Sequence, residues 1–248
     1  MTGVVYLVGA GPGAADLLTL RAARLLSEAD VVLHDALVGA DVLALAPKAR
    51  LYNVGKRAQR PSVDQRFICR LLARLGQRHK VVVRLKGGDP HLFGRATEEI
   101  EACRAAGVPV VTVPGVSAGF AAASALGVSL TARGVSRSVT FVTPSVGRGE
   151  AANTHWAQAA AAAETAVIYM GAAQAALVRD ALLALGAPPS RPIALIESAS
   201  LGGERIIQGV LTDMPTLAAR LGAGPAIMIV GEVAACTRAA RDLAEAAA

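Results

Sequence analysis

The chain has 248 residues, of which 53% are hydrophobic and 18% are charged, and this composition predicts a folded globular protein. A formal net charge of +6 and a sequence pI near 9.7 suit an anionic partner such as nucleic acid, acidic lipid or a polycarboxylate, although a basic surface also serves solubility alone. The three cysteines lie far apart without a CxxC pair, so we expect neither a disulfide framework nor a zinc site, and a reducing cytoplasm fits.

Short β-branched runs alternate along the chain with segments of helical period. The first run, 4–9, has no positively charged segment before it and indicates a first strand instead of a signal peptide. The alternation is typical of βαβ units around a mostly parallel sheet. We predict two groups of five strands, at 4–9, 31–34, 51–54, 81–86 and 110–113, then at 138–143, 166–170, 192–197, 204–211 and 226–231.

Three other segments carry helix predictions. The segment 62–75 has one hydrophobic face, capping-box spacing between Ser62 and Gln65, and Gly76 to end the helix. The apolar window 157–178 is interrupted by polar residues and glycine, which predicts helix, strand and helix instead of a membrane span. The C-terminal end, TRAARDLAEAAA, predicts a polar, alanine-rich helix.

A domain break is predicted within 113–120, where a strand runs into Pro-Gly and then a helix rich in small residues. We predict an α/β fold of two domains, 1–115 and 116–248, each around a mostly five-stranded sheet. Because no low-complexity linker separates them, we expect tight packing with a ligand cleft between the domains.

The loop GAGPGA after the first strand satisfies the loose dinucleotide pattern GxGxxG/A, and Asp35 stands about where a ribose-binding acid belongs. A nicotinamide-dependent oxidoreductase is therefore one hypothesis, and a structural tight turn is another. Pro12 argues against the dinucleotide because it removes a backbone N–H from the loop. The cap-like Thr19 also starts the helix later than that fingerprint requires.

A second glycine-rich stretch, RLKGGDPHLFGR, ends a predicted strand at Gly87, Gly88 and Asp89. Two adjacent glycines let a ligand approach the backbone closely, and a neighbouring carboxylate can hold it. The stretch therefore predicts a ligand site at the end of this strand.

Several motifs resemble one family in order and spacing: VYLVGAGPGAADLLTL, DALV, VGKR, RLKGGDPHLFGR, VPGVSA, YMG and GPAIMIVGEV. From about residue 4 to residue 235 they resemble the tetrapyrrole methylases, and DALV and VGKR favour the branch that acts on uroporphyrinogen III. The resemblance implies a two-domain homodimer that binds S-adenosyl-L-methionine in the inter-domain cleft. It implies methylation of uroporphyrinogen III at C2 and C7 to precorrin-2, which feeds sirohaem or cobalamin biosynthesis.

The same resemblance assigns roles to individual residues. It places a proton acceptor at Asp35 and a proton donor at Lys56. It places the methyl donor, S-adenosyl-L-methionine, against Pro12, Gly87, Gly88, Asp89, Leu92, Ser117, Ala118, Met170, Ala199 and Ala226.

This chemistry agrees with the residue types. Methyl transfer from a sulfonium to a pyrrole carbon needs no metal, and none of the four histidines has metal-ligand spacing. The methylated ring must lose a proton, which suits a carboxylate such as Asp35, although a helix or turn cap is the alternative role. The polycarboxylate substrate can dock on ammonium and guanidinium groups, for which candidates are Lys56, Arg57, Arg84, Arg95, Arg133 and Arg137. Met170 follows a buried-looking strand, where a core role is the alternative.

The chain departs from the family pattern at His91 and Leu92, in GRATEE, in TAR at 131–133 and in TPS at 143–145. We expect these departures to bear on substrate choice more than on donor binding. A methylase of a later intermediate such as precorrin-4, an RNA methyltransferase and a non-catalytic tetrapyrrole-binding protein are the other hypotheses. With 3% aromatic residues, no platform for stacking RNA bases is evident. We expect a cytoplasmic protein with no nucleic-acid or membrane partner.

Overall fold

The computed structural model describes residues 2–55, 64–146 and 153–235. The chain divides into two compact units, Met1–Ala118 and Gly119–Ala248, and the boundary predicted after residue 115 lies just before this division. The predicted proton donor Lys56, its neighbour Arg57, the predicted cap Ser62 and the predicted C-terminal helix lie outside the described residues.

The first unit is built on an open sheet in the strand order β3-β2-β4-β1-β5. All neighbouring strands in it are parallel, so their carboxyl ends meet at one edge. Two clusters of buried apolar side chains form the core, one containing Leu26 and Leu85 and the other containing Leu7 and Leu72. The elements are β1 Val4–Gly9, α1 Leu20–Glu28, β2 Val31–His34, α2 Ala40–Leu43, β3 Arg50–Asn53, α3 Gln65–Gly76, β4 Val81–Lys86, α4 Ala96–Ala105 and β5 Val110–Val113.

The second unit contains a mixed sheet in the order β6-β7-β10-β8-β9. Only the β6–β7 pair is parallel; the other three pairs are antiparallel. The elements are α5 Ala118–Leu126, which begins at the last residue of the first unit, β6 Val139–Val142, α6 His155–Ala162, β7 Thr165–Tyr169, α7 Ala175–Ala184, β8 Pro192–Glu197, β9 Arg205–Val210, α8 Met214–Ala218 and β10 Ala226–Val230.

The prediction of a mostly parallel sheet is therefore correct for the first unit and wrong for the second. The connection from β8 to β9 is the short segment 198–204. A parallel pair needs a crossover of a dozen or more residues, whereas a short loop can join only antiparallel neighbours. The two groups of five strands are confirmed, and each predicted strand bound lies within one residue of the observed one.

The helix predictions have two outcomes. The helix α3 begins at Gln65, but its cap is Asp64, whose Oδ1 accepts a hydrogen bond from the Arg66 N–H at 2.8 Å, so the predicted capping box is wrong. Gly76 is the last helical residue, and a Cβ there would lie 2.5 Å from Val108 Cγ1, so glycine is required there mainly for close packing.

The window 157–178 contains helix, strand and helix as predicted. Within the described ranges, no helix is both long and apolar enough to cross a membrane.

Candidate active site

Two glycine-rich loops meet at the carboxyl edge of the first sheet. The Gly88 N–H donates to the Gly11 carbonyl at 2.7 Å, and the Gly11 N–H donates to the Gly88 carbonyl at 3.3 Å. Both glycines have positive φ, +72° at Gly11 and +66° at Gly88, which other residues adopt at a cost. Pro12 follows directly and is half-buried. The loop after β1 is thereby joined to the loop after β4.

Glycines serve two different purposes at this edge. A Cβ on Gly9 would lie 2.5 Å from the Gly115 Cα and 2.7 Å from the Gly88 carbonyl oxygen, so Gly9 allows the loops to pack. A Cβ on Gly87, in contrast, would meet nothing within 4 Å, and Gly87 is exposed. The backbone at Gly87 is therefore open to close approach by a ligand.

Asp89 joins the loop after β4 to the loop after β5. Its Oδ1 accepts from the His91 N–H at 2.8 Å, and its Oδ2 accepts from the Gly115 N–H at 3.0 Å. The carboxylate thus holds the backbone of the loop 87–95 in place, which the sequence pattern did not predict. This loop carries several of the candidate methyl-donor contacts and is called the donor loop below.

The other candidate donor-binding residues of the first unit lie in the same region. The Leu92 N–H donates to the Asp89 carbonyl at 3.3 Å. A Cβ built on Gly88 would lie 3.8 Å from the Ala118 backbone N and 3.9 Å from the Ser117 Cα, so both residues adjoin the glycine loop. The structure therefore brings together all seven candidates of this unit.

Asp35 follows β2 at the same edge of the sheet. Its backbone N–H donates to the Leu85 carbonyl at 3.2 Å, and its side-chain Oδ1 forms an ion pair with Arg84 Nη2 at 2.6 Å. The Asp35 side chain is 33% exposed. Its carboxylate is bound to a buried cation, which differs from the helix or turn cap considered as its alternative role.

Arg84 belongs to a buried row of alternating charges, in the order Asp35, Arg84, Glu99 and Lys86. Arg84 Nε lies 3.0 Å from Glu99 Oε1, and Lys86 Nζ lies 3.0 Å from Glu99 Oε2. Gln65 Nε2 also donates to Glu99 Oε1 at 3.2 Å. The Arg84 side chain is 3% exposed and the Glu99 side chain is fully buried, and burying charges is tolerated only when they are paired.

The pKa shifts in this row follow from burial and from the neighbouring charges. Burial alone would lower the pKa of Arg84, but the carboxylates of Asp35 and Glu99 more than offset it, so the pKa is raised. Burial first, and Arg84 second, lower the pKa of Lys86 below its ordinary value, although Glu99 opposes this shift. The Arg84 guanidinium is therefore committed inside the protein, and its prediction as a substrate-docking group is wrong.

The sequence reasoning missed Glu99 and Lys86. A usable signal was present, because Arg84 and Lys86 interrupt an apolar strand, VVVRLK, and a charge on a buried strand requires a counterion. Glu99 gave no such signal. It lies in the first turn of α4, where acidic residues are common because they interact favourably with the helix dipole, so an exposed side chain was the natural expectation.

In the second unit, the other three candidate residues lie at one edge of the mixed sheet. Met170 follows β7, Ala199 follows β8, and Ala226 begins β10, which runs antiparallel to both strands and lies between them. Met170 is 52% exposed, so the alternative of a core role is wrong. Ala199 is buried, between Ser198 and Ser200.

Strained backbone conformations occur at both edges. Among the residues that the structure describes, the non-glycine residues with positive φ are Phe93 and Arg95 in the loop that precedes α4, and Met170, Ser198 and Ser200 in the second unit. Such conformations cost free energy and are concentrated at ligand sites, which supports a binding role for these loops.

Glu197 stabilises the second edge. Its carboxylate accepts from the Gly222 N–H at 2.9 Å and from the Gly224 N–H at 2.8 Å, and it lies 3.5 Å from Arg205 Nη1. The pKa of Glu197 is lowered chiefly by the hydrogen bond from the Gly222 N–H, and further by the hydrogen bond from Gly224 and the positive charge of Arg205. The segment that leads into Ala226 is held by this carboxylate.

The remaining basic candidates lie on the surface. The Arg95 guanidinium binds the Glu98 carboxylate with two hydrogen bonds of 2.8 Å. Arg133 and Arg137 are exposed in the second unit. In the part of the chain that the structure describes, no group of three or more His, Cys, Asp or Glu side chains could hold a metal ion.

Comparison with known proteins identifies the family. The family model described as Tetrapyrrole (Corrin/Porphyrin) Methylases matches residues 4–215. The chain belongs to this family. It is 45% identical to a uroporphyrinogen-III C-methyltransferase of Pseudomonas aeruginosa, over 94% of this chain and 95% of that protein. It is 43% identical to a siroheme synthase of Methylococcus capsulatus, over 93% of this chain but 49% of that longer protein.

Solved structures of the tetrapyrrole methylase family share the fold. A uroporphyrin-III C-methyltransferase from Thermus thermophilus, complexed with S-adenosyl homocysteine, is 41% identical with a TM-score of 0.82, covering 93% of this chain and 98% of that one. A cobalt precorrin-4 methyltransferase gives a TM-score of 0.80 at 26% identity, covering 93% and 95% of the two chains. The backbone is thus shared across the family, whereas sequence identity is higher with the uroporphyrin enzyme.

Proposed function

We propose that this chain transfers methyl groups from S-adenosyl-L-methionine to C2 and C7 of uroporphyrinogen III, giving precorrin-2 for sirohaem or cobalamin biosynthesis. The observation that carries the proposal is the 45% identity to a uroporphyrinogen-III C-methyltransferase across 95% of that protein. A methylase of precorrin-4 is less favoured because identity to such an enzyme is 26%. A nicotinamide oxidoreductase is also disfavoured, because Thr19 caps α1 and the helix therefore begins well after the first glycine loop.

The open backbone of the donor loop fits the proposed cofactor. Since a Cβ on Gly87 would meet no atom within 4 Å, a planar or extended ligand can lie directly against this peptide. When bound, S-adenosyl-L-methionine supplies an electrophilic methyl group on a sulfonium. We propose that the first-unit residues Pro12, Gly87, Gly88, Asp89, Leu92, Ser117 and Ala118 contact it, as do Met170, Ala199 and Ala226 of the second unit. Asp89 acts mainly by fixing the loop, and the Met170 thioether offers a polarizable surface.

Asp35 is the proposed proton acceptor. Its Oδ1 is fixed by Arg84 at 2.6 Å, and the side chain is one-third exposed, so Oδ2 can receive the proton that the methylated ring carbon releases. Lys56 is the proposed proton donor and lies outside the described residues. The net charge of +6 favours encounter with the anionic macrocycle. We also propose a cytoplasmic homodimer, following the family resemblance.

The decisive experiment counts methyl groups. The protein is incubated anaerobically with uroporphyrinogen III and S-adenosyl-L-methionine labelled on its methyl carbon, and the products are measured by mass spectrometry. We expect two labelled methyl groups on each macrocycle. No methylation of uroporphyrinogen III, together with turnover of precorrin-4, would overturn the proposal. In the same assay Asp35→Asn should lose turnover, while titration calorimetry should show normal affinity for S-adenosyl homocysteine. Full turnover in Asp35→Asn would show that the proposed proton role of Asp35 is wrong.

A further inference from the structure

We propose that Glu99 is a positioning residue for this reaction, acting on Asp35 through Arg84. The proposal rests on the function proposed above, in which Asp35 accepts a proton. Glu99 itself is fully buried on α4, so it acts on Asp35 through Arg84, which contacts both carboxylates.

The guanidinium of Arg84 is held on each of its three nitrogens. Nε donates to Glu99 at 3.0 Å, Nη2 donates to Asp35 at 2.6 Å, and Nη1 donates to the Leu85 carbonyl at 3.1 Å. Because a guanidinium is planar and rigid, the bond at Nε sets the plane of the group and hence the direction in which Nη2 points. Glu99 therefore controls where Arg84 holds the Asp35 carboxylate.

The solvent exposure of the four side chains in the row supports a functional role. Glu99, Arg84 and Lys86 are 0%, 3% and 4% exposed at the side chain, whereas Asp35 is 33% exposed. Of the four side chains, Asp35 alone is substantially exposed, and it lies at the sheet edge that carries the donor loop. A buried salt bridge is weak evidence for stability, since well-packed apolar residues often replace it without loss. Fixing the exposed carboxylate is what the buried members accomplish.

Lys86 supplies the balancing charge. Its Nζ binds the other Glu99 oxygen at 3.0 Å, so the four side chains carry two positive and two negative charges. Removing Glu99 alone would leave one buried positive charge without a counterion. The protein would then be destabilised by charge imbalance, whether or not Glu99 positions Asp35. Removing Glu99 and Lys86 together keeps the balance and leaves the Asp35–Arg84 pair intact.

The test compares two charge-balanced double variants. Lys86→Met with Glu99→Met removes the acceptor for Arg84 Nε, whereas Lys86→Met with Glu99→Gln retains an amide oxygen that can accept it. We expect kcat of the Met/Met variant to fall on the order of 10- to 100-fold, because small misplacements of a catalytic group carry such losses. The Met/Gln variant should recover most of this loss. The dissociation constant for S-adenosyl homocysteine should be similar in both, whereas the urea midpoint should be lower in the Met/Met variant because the buried Arg84 Nε–H is left without its acceptor.

Controls keep the test decisive. Glu101→Gln, an exposed carboxylate on the same helix, should leave kcat unchanged. If the Met/Met variant fails to fold, Glu99→Asp serves instead, because it keeps both charges but draws the carboxylate back from Arg84, and kcat should again fall at unchanged affinity. Equal kcat in the two double variants, or full kcat in Glu99→Asp, overturns the proposal while leaving the proposed function standing. A wild-type protein without methylation of uroporphyrinogen III overturns both.

Discussion

Replacing Asp89 by Asn tests whether the donor loop depends on a charged anchor. An Asn side chain has a single acceptor oxygen, so it can retain the bond from the His91 N–H but presents an NH2 group to the Gly115 N–H, now 3.0 Å from Oδ2. A hydrogen bond to a charged group contributes about 1.5–3 kcal/mol, and the partial exposure of Asp89 and Gly115 favours the low end. We therefore expect the free energy of unfolding to fall by about 1.5 kcal/mol.

The same substitution should weaken the donor site. If the loop must return to its wild-type position when the ligand binds, the cost of about 1.5 kcal/mol also opposes binding, which corresponds to about a tenfold rise in the dissociation constant. Titration calorimetry with S-adenosyl homocysteine measures the affinity, and urea unfolding measures the stability. Asp41→Asn, an exposed carboxylate in the same unit, is the matched control. Wild-type values of both quantities in Asp89→Asn would refute the reasoning.

Three further predictions concern other positions. Gly9→Ala should lower the free energy of unfolding by about 2 kcal/mol, because the added Cβ would overlap backbone atoms. Gly87→Ala should leave the free energy of unfolding unchanged but weaken binding of S-adenosyl homocysteine. A lower urea midpoint for Gly87→Ala than for Gly9→Ala would contradict this reasoning. Glu197 has a pKa below its ordinary value of 4.5, so its stabilisation is present at neutral pH and lost as the pH falls from about 4.5 through the folded-state pKa. Glu197→Gln should therefore show a smaller acid-induced decrease in urea midpoint than wild type, and an identical decrease would rule this out. Arg84→Lys keeps a positive charge, but an ammonium group cannot bind the Asp35 and Glu99 carboxylates at once in the geometry of a guanidinium. We therefore expect kcat to fall while the affinity for the methyl donor is retained. An unchanged kcat would show that simultaneous binding of both carboxylates is dispensable.

The local elements of this fold follow from the sequence because each is specified by nearby residues. Strands such as 81–86 are short β-branched runs that end in glycine, and Thr19 marks the start of α1 by capping the Ala22 N–H. The grouping of the strands into two sets of five, and the glycine loops as a ligand site, rest on the same local signals. The family motifs extended this reading to the proposed activity.

Strand direction in the second unit and the buried charge row were decided by tertiary structure. Hydrophobic runs indicate that a strand is buried but do not distinguish a parallel neighbour from an antiparallel one. The short connection 198–204 restricts β8 and β9 to an antiparallel pair, but the antiparallel pairing of β10 with β7 and β8 could not be derived from the pattern. Glu99 lies in a different element from Arg84 and Lys86, and no spacing rule connects a helix turn to a strand. The sequence by itself determined which residues carry charge, whereas only the packing of α4 against the sheet decided which charges pair, because Coulomb attraction between buried groups depends on distance in space.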